Sequence, residues 1–167
     1  MKALCVLALT VLSISTSAQK IVSNKTDKFD NSTIIKTSSE PLEKNLGVAQ
    51  TTVTGYIYKK DLKVVNALSF IFRYYLPTGL KKPNSVVLIF TDGSKMVLEF
   101  AGSLETYDAQ KDINFNVEPT LDQLKKISEM EVTDIRFETI KGNKDIEIRS
   151  KLRSSLKGIA KLLLDNQ

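Results

Sequence analysis

The sequence predicts an α+β fold: a mostly antiparallel β-sheet of about five to seven strands with two helices packed on one side. Three observations favour this class. Several runs alternate apolar and polar residues, which is typical of half-buried strands. One Asp-Gly pair separates two such runs, which is a strong hairpin signal. Two later segments instead carry apolar residues at helical spacing.

The chain opens with MKALCVLALTVLSISTSAQ, which has the composition of a secretory signal peptide. Small residues at Thr16 and Ala18 predict cleavage between Ala18 and Gln19. Residues 1–18 are therefore interpreted as a signal, and residues 19–167 as one exported domain, either periplasmic or extracellular. The apolar run is too short to span a bilayer, and we expect no transmembrane segment.

Residues 19–50 are polar, so this part of the domain is expected to be partly irregular, with one strand near Ile34. The segment Thr52 to Tyr58 reads as a second strand. From Val64 to Leu76, apolar residues then recur with period two and predict a strand with one buried face.

The run SVVLIFTDGSKMVLEF carries Asp92-Gly93 at its centre and predicts a β-hairpin. One apolar face should combine side chains from both arms, namely Val86, Leu88, Phe90, Met96, Leu98 and Phe100. Alternation at 113–117 then predicts one more strand.

A short helix is predicted after Pro119, where Thr120 and Gln123 have the spacing of a capping box. The apolar positions Leu121, Leu124 and Ile127 lie on one helical face, so the helix is interpreted as a lid on the sheet. Alternation resumes afterwards, and residues 113–137 are hypothesised to form a strand–helix–strand crossover.

The C-terminal segment, roughly Ser150 to Asp165, is predicted to be a second helix. Four apolar residues with helical spacing should pack against the sheet: Leu152, Leu156, Ile159 and Leu163.

This arrangement resembles small, signal-bearing secreted or periplasmic proteins of unknown function that are common in Bacteroidota-type bacteria. The resemblance rests on five segments: 27–29, 35–38, the hairpin turn 90–94, the helix 121–127 and the strand 132–139. It covers most of the exported chain and implies a periplasmic or secreted protein, but it brings no activity with it.

The residue types restrict the available chemistry. The chain contains no His, and its single Cys lies in the predicted signal. Histidine-based triads are thus excluded, and transition-metal sites are improbable. We predict no cofactor and no catalytic residue. The alternative is a carboxylate-based glycan hydrolase. The acidic loop Glu105, Asp108 and Asp112 is its nearest candidate, and the same oxygens leave a Ca²⁺ site open.

Positive charge is concentrated at the C-terminus, where residues 141–167 hold seven basic against three acidic residues. Arg149, Arg153, Lys157 and Lys161 recur every fourth residue and form a basic stripe. This stripe is the candidate interaction surface, for an acidic partner or for weak contact with an anionic membrane. The other interpretation is the solvated back of a core helix. Nucleic acid is not expected as a partner, because export removes it.

These observations together predict an exported, non-catalytic domain that binds or supports an envelope partner, either a protein or a glycan. The alternatives are the glycan hydrolase and membrane-surface binding through the basic C-terminal helix.

Overall fold

The computed structural model describes residues 19–45, 48–73, 85–100, 105–107, 112–139 and 142–167. The predicted signal segment and the end of the long alternating run, Tyr74 to Leu76, lie outside the described residues. The α+β class with mostly antiparallel sheet is confirmed. The strands are β1 (Ile21–Thr26), β2 (Thr33–Thr37), β3 (Glu40–Asn45), β4 (Val48–Lys60), β5 (Lys63–Arg73), β6 (Ser85–Phe90), β7 (Lys95–Glu99), β8 (Glu105–Tyr107), β9 (Asp112–Val117), β10 (Val132–Thr139) and β11 (Gly142–Glu147), and the helices are α1 (Leu121–Glu129) and α2 (Ser154–Asp165).

The larger sheet has seven strands in the order β1-β2-β4-β5-β9-β8, and β3 also pairs with β4. Strands β4 and β5 form a long hairpin whose paired residues run from Thr51–Phe72 to Lys60–Lys63. Strands β2 and β3 occupy successive lengths of the other edge of β4. The polar segment 19–50 thus contains parts of four strands, where the sequence indicated one.

The smaller sheet has four strands in the order β11-β10-β6-β7. Its β6–β7 hairpin is the predicted one, with Gly93 at φ 79° in the turn and Val86 paired with Leu98. The side chain of Asp92 accepts a hydrogen bond from the Ser94 N–H at 2.8 Å and closes the turn. The hairpin prediction is confirmed.

The expected crossover through residues 113–137 is wrong. Strand β9 belongs to the larger sheet and β10 to the smaller one, so α1 connects two sheets instead of two parallel neighbours. An isolated antiparallel bridge between Phe100 and Val117 joins the sheets at this corner. Elsewhere they face each other across aromatic side chains of β5 and β10.

Helix α1 begins with the predicted capping box, in which Thr120 accepts from the Gln123 N–H and the Gln123 side chain accepts from the Thr120 N–H. Leu124 and Ile127 are buried, as the lid interpretation requires. Leu121, expected on the same buried face, is instead 48 % exposed at the start of the helix. The apolar face therefore covers the core only from the second turn onward.

Helix α2 begins at Ser154, after a 3-10 turn at Ser150–Leu152, so the helix starts later than predicted. Leu156, Ile159 and Leu163 are fully buried, and Leu152 packs partly buried against the same core. The helix contacts α1 and also reaches β4, β3 and β10. No described helix is long and apolar enough to span a membrane.

Helix α2 packs very close to the larger sheet at Gly55. A Cβ placed on it would lie 2.7 Å from Cγ2 of Ile159 and 3.1 Å from Cδ2 of Leu163. We expect Gly55→Ala to lower the free energy of unfolding by about 1–3 kcal/mol, because the added methyl overpacks a filled core. Urea denaturation of the variant and the wild type measures this loss.

Gly158 provides the matched control for Gly55→Ala, since the three atoms nearest to a Cβ there all belong to the flexible Gln19 side chain. That side chain can swing away, and alanine is favoured over glycine within a helix by up to about 1 kcal/mol. Gly158→Ala should therefore be neutral or stabilising. An unchanged stability in Gly55→Ala would contradict the close contact between α2 and β4.

Candidate functional site

The basic stripe predicted on the C-terminal helix is only partly available to a partner. Arg149 and Lys161 are exposed. Arg153 instead donates from Nε to the Ile148 carbonyl at 3.1 Å, and Lys157 donates from Nζ to the Glu129 carbonyl at 2.9 Å. The latter carbonyl lies in the last turn of α1, where the helix dipole favours a cation. Half of the stripe therefore has a role within the fold.

The predicted acidic loop, Glu105, Asp108 and Asp112, is described at its two ends only. Glu105 begins β8 and Asp112 begins β9, and these strands pair as a hairpin in which Tyr107 is opposite Asp112. Asp108 lies outside the described residues, as do the side chains of Glu105 and Asp112. Within the described part of the chain, no group of three or more acidic, His or Cys side chains could hold a metal ion.

Two fully exposed apolar side chains lie at neighbouring turns of the larger sheet. Phe29 is in the β1–β2 turn and Leu62 is in the β4–β5 turn, and both have the accessibility of an unfolded side chain. The turns lie at the same end of the sheet because β2 pairs with β4, with Thr33 opposite Lys59. We call this region, residues 25–34 and 58–65, the hairpin end.

The turn that carries Phe29 is fixed by its own polar residues. The carboxylate of Asp27 accepts a hydrogen bond from the Phe29 N–H at 2.7 Å, and that of Asp30 accepts from the Ser32 N–H at 2.9 Å. The Asp27 N–H donates to the Ser32 carbonyl at 2.8 Å, and Asn31 adopts φ 57°. Aspartate and asparagine favour such turns because their side chains bond nearby backbone groups.

An ion pair joins the two turns. Lys60 Nζ lies 2.8 Å from Asp30 Oδ2, and both side chains are about half exposed. The hydrogen bond from Lys60 holds the pKa of the Asp30 carboxyl well below its usual range. The stabilisation that this ion pair gives the folded protein is therefore complete above the pKa of Asp30 in the unfolded chain, about 3.9. It is lost as the pH falls through the lower pKa of Asp30 in the folded protein. The ion pair between the two turns is therefore fully formed at neutral pH.

Further exposed apolar side chains surround these turns. Ile34, Tyr58, Val64 and Leu121 are between 40 and 48 % exposed. Ile34 pairs with Tyr58 across β2 and β4, and Val64 lines a cavity together with Leu121. Within the described part of the chain, eight large hydrophobic side chains are exposed, and six of them lie at or beside the hairpin end. The other two, Val22 and Val97, lie elsewhere.

Lysines border this apolar region. The hairpin end carries five lysines and three aspartates, namely Lys25, Lys28, Lys59, Lys60, Lys63, Asp27, Asp30 and Asp61. Asp27 and Asp30 are already engaged by the turn, and Asp30 also by Lys60. Positive charge therefore exceeds negative charge around the exposed side chains.

A cavity of about 350 Å³ opens beside Val64, between the start of β5 and the start of α1. Asn66 and Pro119 are its buried residues, and no described residue bonds the buried Oδ1 of Asn66. Among the described lining residues Glu118 has the one side-chain carboxylate. A glycosidase mechanism uses two carboxylates across a cleft, so these residues alone do not form such a site.

Comparison with known proteins adds no assignment: no family model, curated protein or solved structure matches the chain significantly. The hairpin end was not predicted from the sequence, although a signal for it exists. Phe29 in DKFDNS and Leu62 in KKDLK are single apolar residues within charged, turn-forming segments. An apolar residue without periodic partners in such a segment has no buried face to join, which favours exposure.

Proposed function

We propose that this protein is an exported, non-catalytic domain that docks onto a partner in the bacterial envelope through the hairpin end. The observation that carries the proposal is the concentration of exposed apolar side chains there, led by Phe29 and Leu62. Isolated exposed apolar residues are normal on protein surfaces, whereas clustered ones with a charged border mark interaction sites. The predicted signal and the resemblance to envelope proteins support the location.

The construction of the hairpin end also supports docking. The turn that carries Phe29 is closed by its own hydrogen bonds, and the turn that carries Leu62 is bounded by the paired residues Lys60 and Lys63. The Lys60–Asp30 ion pair links the two turns, so Phe29 and Leu62 are presented on a preorganised frame. Preorganisation lowers the entropy lost when a surface binds. The C-terminal stripe lacks this arrangement, because Arg153 and Lys157 donate to carbonyls of the protein itself.

Replacing both exposed side chains, Phe29→Ser with Leu62→Ser, should reduce association with isolated envelopes of the source organism by tenfold or more, since burial of each is worth about 1.5–3 kcal/mol. The measurement is the fraction of purified protein that sediments with the envelopes. The unfolding midpoint should be retained, because neither side chain contacts the core.

The matched control replaces two exposed apolar residues that lie away from the hairpin end, Val22→Ser with Val97→Ser. Its association with envelopes should equal that of the wild type. Equal losses of envelope association in the two double variants would indicate non-specific adsorption through any exposed apolar residue, and would contradict the proposed site. A wild-type protein that does not sediment with envelopes would contradict docking altogether.

A further inference from the structure

We infer that the partner is the surface of an anionic phospholipid bilayer, into which Phe29 and Leu62 insert while the neighbouring lysines contact the headgroups. The inference rests on the proposed function and names its partner. It differs from membrane contact through the C-terminal helix, because α2 buries Leu156, Ile159 and Leu163 of its apolar face against the core.

The geometry of the two turns suits insertion. Phe29 and Leu62 stand at the tips of adjacent hairpins, which lie about two strand spacings, or about 10 Å, apart. Each is fully exposed, so no neighbouring side chain of the protein would have to move aside. A fluid bilayer closes around single protruding side chains, whereas a specific protein interface needs about 800 Å² of complementary surface on each partner.

The charges favour an anionic surface. Lys25, Lys28 and Lys63 are exposed and form no ion pair within the described part of the chain. Lysine bends its apolar stem along apolar surface while its ammonium stays in water, which suits a position at headgroup level. Each lysine near an anionic leaflet strengthens binding by about fivefold.

Polar residues around the tips limit the depth of insertion. Asp27, Asp30 and Asp61 lie in the same turns as Phe29 and Leu62, and a carboxylate is costly to move into hydrocarbon. The two apolar side chains can therefore enter only the boundary between headgroups and acyl chains. This predicts reversible, salt-sensitive binding at the surface and not permanent anchoring.

The absence of tryptophan from the sequence allows a direct test. Phe29→Trp and Leu62→Trp each place one tryptophan at a tip, and Val97→Trp places one at an exposed site on the other sheet. Vesicles of phosphatidylethanolamine with phosphatidylglycerol should shift the emission of the two tip variants to shorter wavelength. Emission from Val97→Trp should not shift. A shift at all three positions, or at none, would overturn the inference.

Co-sedimentation with the same vesicles tests the charges. Replacing Lys25, Lys28 and Lys63 together by glutamine should reduce the partition coefficient by about a hundredfold and remove most of its salt dependence. The matched control, Arg149→Gln with Lys161→Gln, changes two exposed cations of the C-terminal stripe and should bind like the wild type. Greater loss in this control than in the lysine variant would assign the contact to the C-terminal stripe instead.

Docking through the hairpin end and binding to an anionic bilayer are distinguished by comparing envelopes with vesicles. Suppose that the wild type did not bind the vesicles but sedimented with envelopes in a manner that depended on Phe29 and Leu62. The lipid inference would then be wrong, and a protein or glycan would be the partner. If the wild type associated with neither, the docking function itself would be wrong. Equal binding to phosphatidylcholine vesicles would also overturn the inference, because the lysines would then contribute nothing.

Discussion

Replacing Phe137 by alanine should lower the free energy of unfolding by about 3–5 kcal/mol. Phe137 lies on β10 of the smaller sheet and is fully buried. Its ring meets two rings of β5 in the larger sheet edge-on, with centroids 5.8 Å from Phe70 and 4.6 Å from Phe72. Removing it leaves a cavity where the two sheets face each other, and it also forfeits both aromatic contacts, which favour this edge-to-face arrangement.

Guanidinium denaturation followed by circular dichroism measures the effect of Phe137→Ala. Phe137→Leu should lose less, because leucine fills most of the same volume. Phe29→Ala, which removes a fully exposed ring from the same protein, should change stability by no more than about 0.5 kcal/mol. A loss below about 1 kcal/mol in Phe137→Ala would mean that the sheets do not pack through this ring.

Elements defined by neighbouring residues were predictable from the sequence. The β6–β7 hairpin follows from Asp92-Gly93, and the start of α1 follows from the capping box at Thr120. In each case the residues that determine the structure lie within a few positions of each other. The apolar spacing of α2 likewise identified Leu156 and Ile159 as core residues.

Pairing between distant strands was not predictable in the same way. An alternating strand exposes the same apolar face whichever sheet it joins, so nothing in β9 or β10 indicates that they belong to different sheets. Strands β1 and β3 were missed for a related reason. They lie at the side of the larger sheet and pair through backbone groups, which polar sequences such as IVSNKT provide as well as apolar ones.

The candidate site was likewise predictable only where it depends on residues that are close in sequence. Periodicity revealed the basic stripe, but it could not show that Arg153 and Lys157 reach carbonyl groups of other segments. The hairpin end combines residues about 30 positions apart, such as Asp30 and Lys60, which only the pairing of β2 with β4 brings together. Sites assembled from two turns depend on strand register, which a local pattern does not contain.

Replacing Leu156 by alanine should lower the free energy of unfolding by about 2–5 kcal/mol. Leu156 is fully buried in a core to which both sheets contribute, in the first turns of α2. The helix also packs on α1, whose last turn receives the hydrogen bond from Lys157. Loss of the side chain should thus weaken the contact of both helices with the sheets. Urea unfolding monitored by circular dichroism gives the value.

Arg149→Ala and Lys161→Ala provide the comparison, because both side chains are exposed on the same C-terminal segment and each change should cost no more than about 0.5 kcal/mol. A chain truncated after Ser150 would lose Leu156, Ile159 and Leu163 together. A domain with a net stability of only about 5–15 kcal/mol cannot remain folded after that loss. If the truncated protein kept its unfolding midpoint but no longer bound anionic vesicles, the C-terminal helix would be an interaction arm, and both its core assignment and the hairpin-end proposal would be wrong.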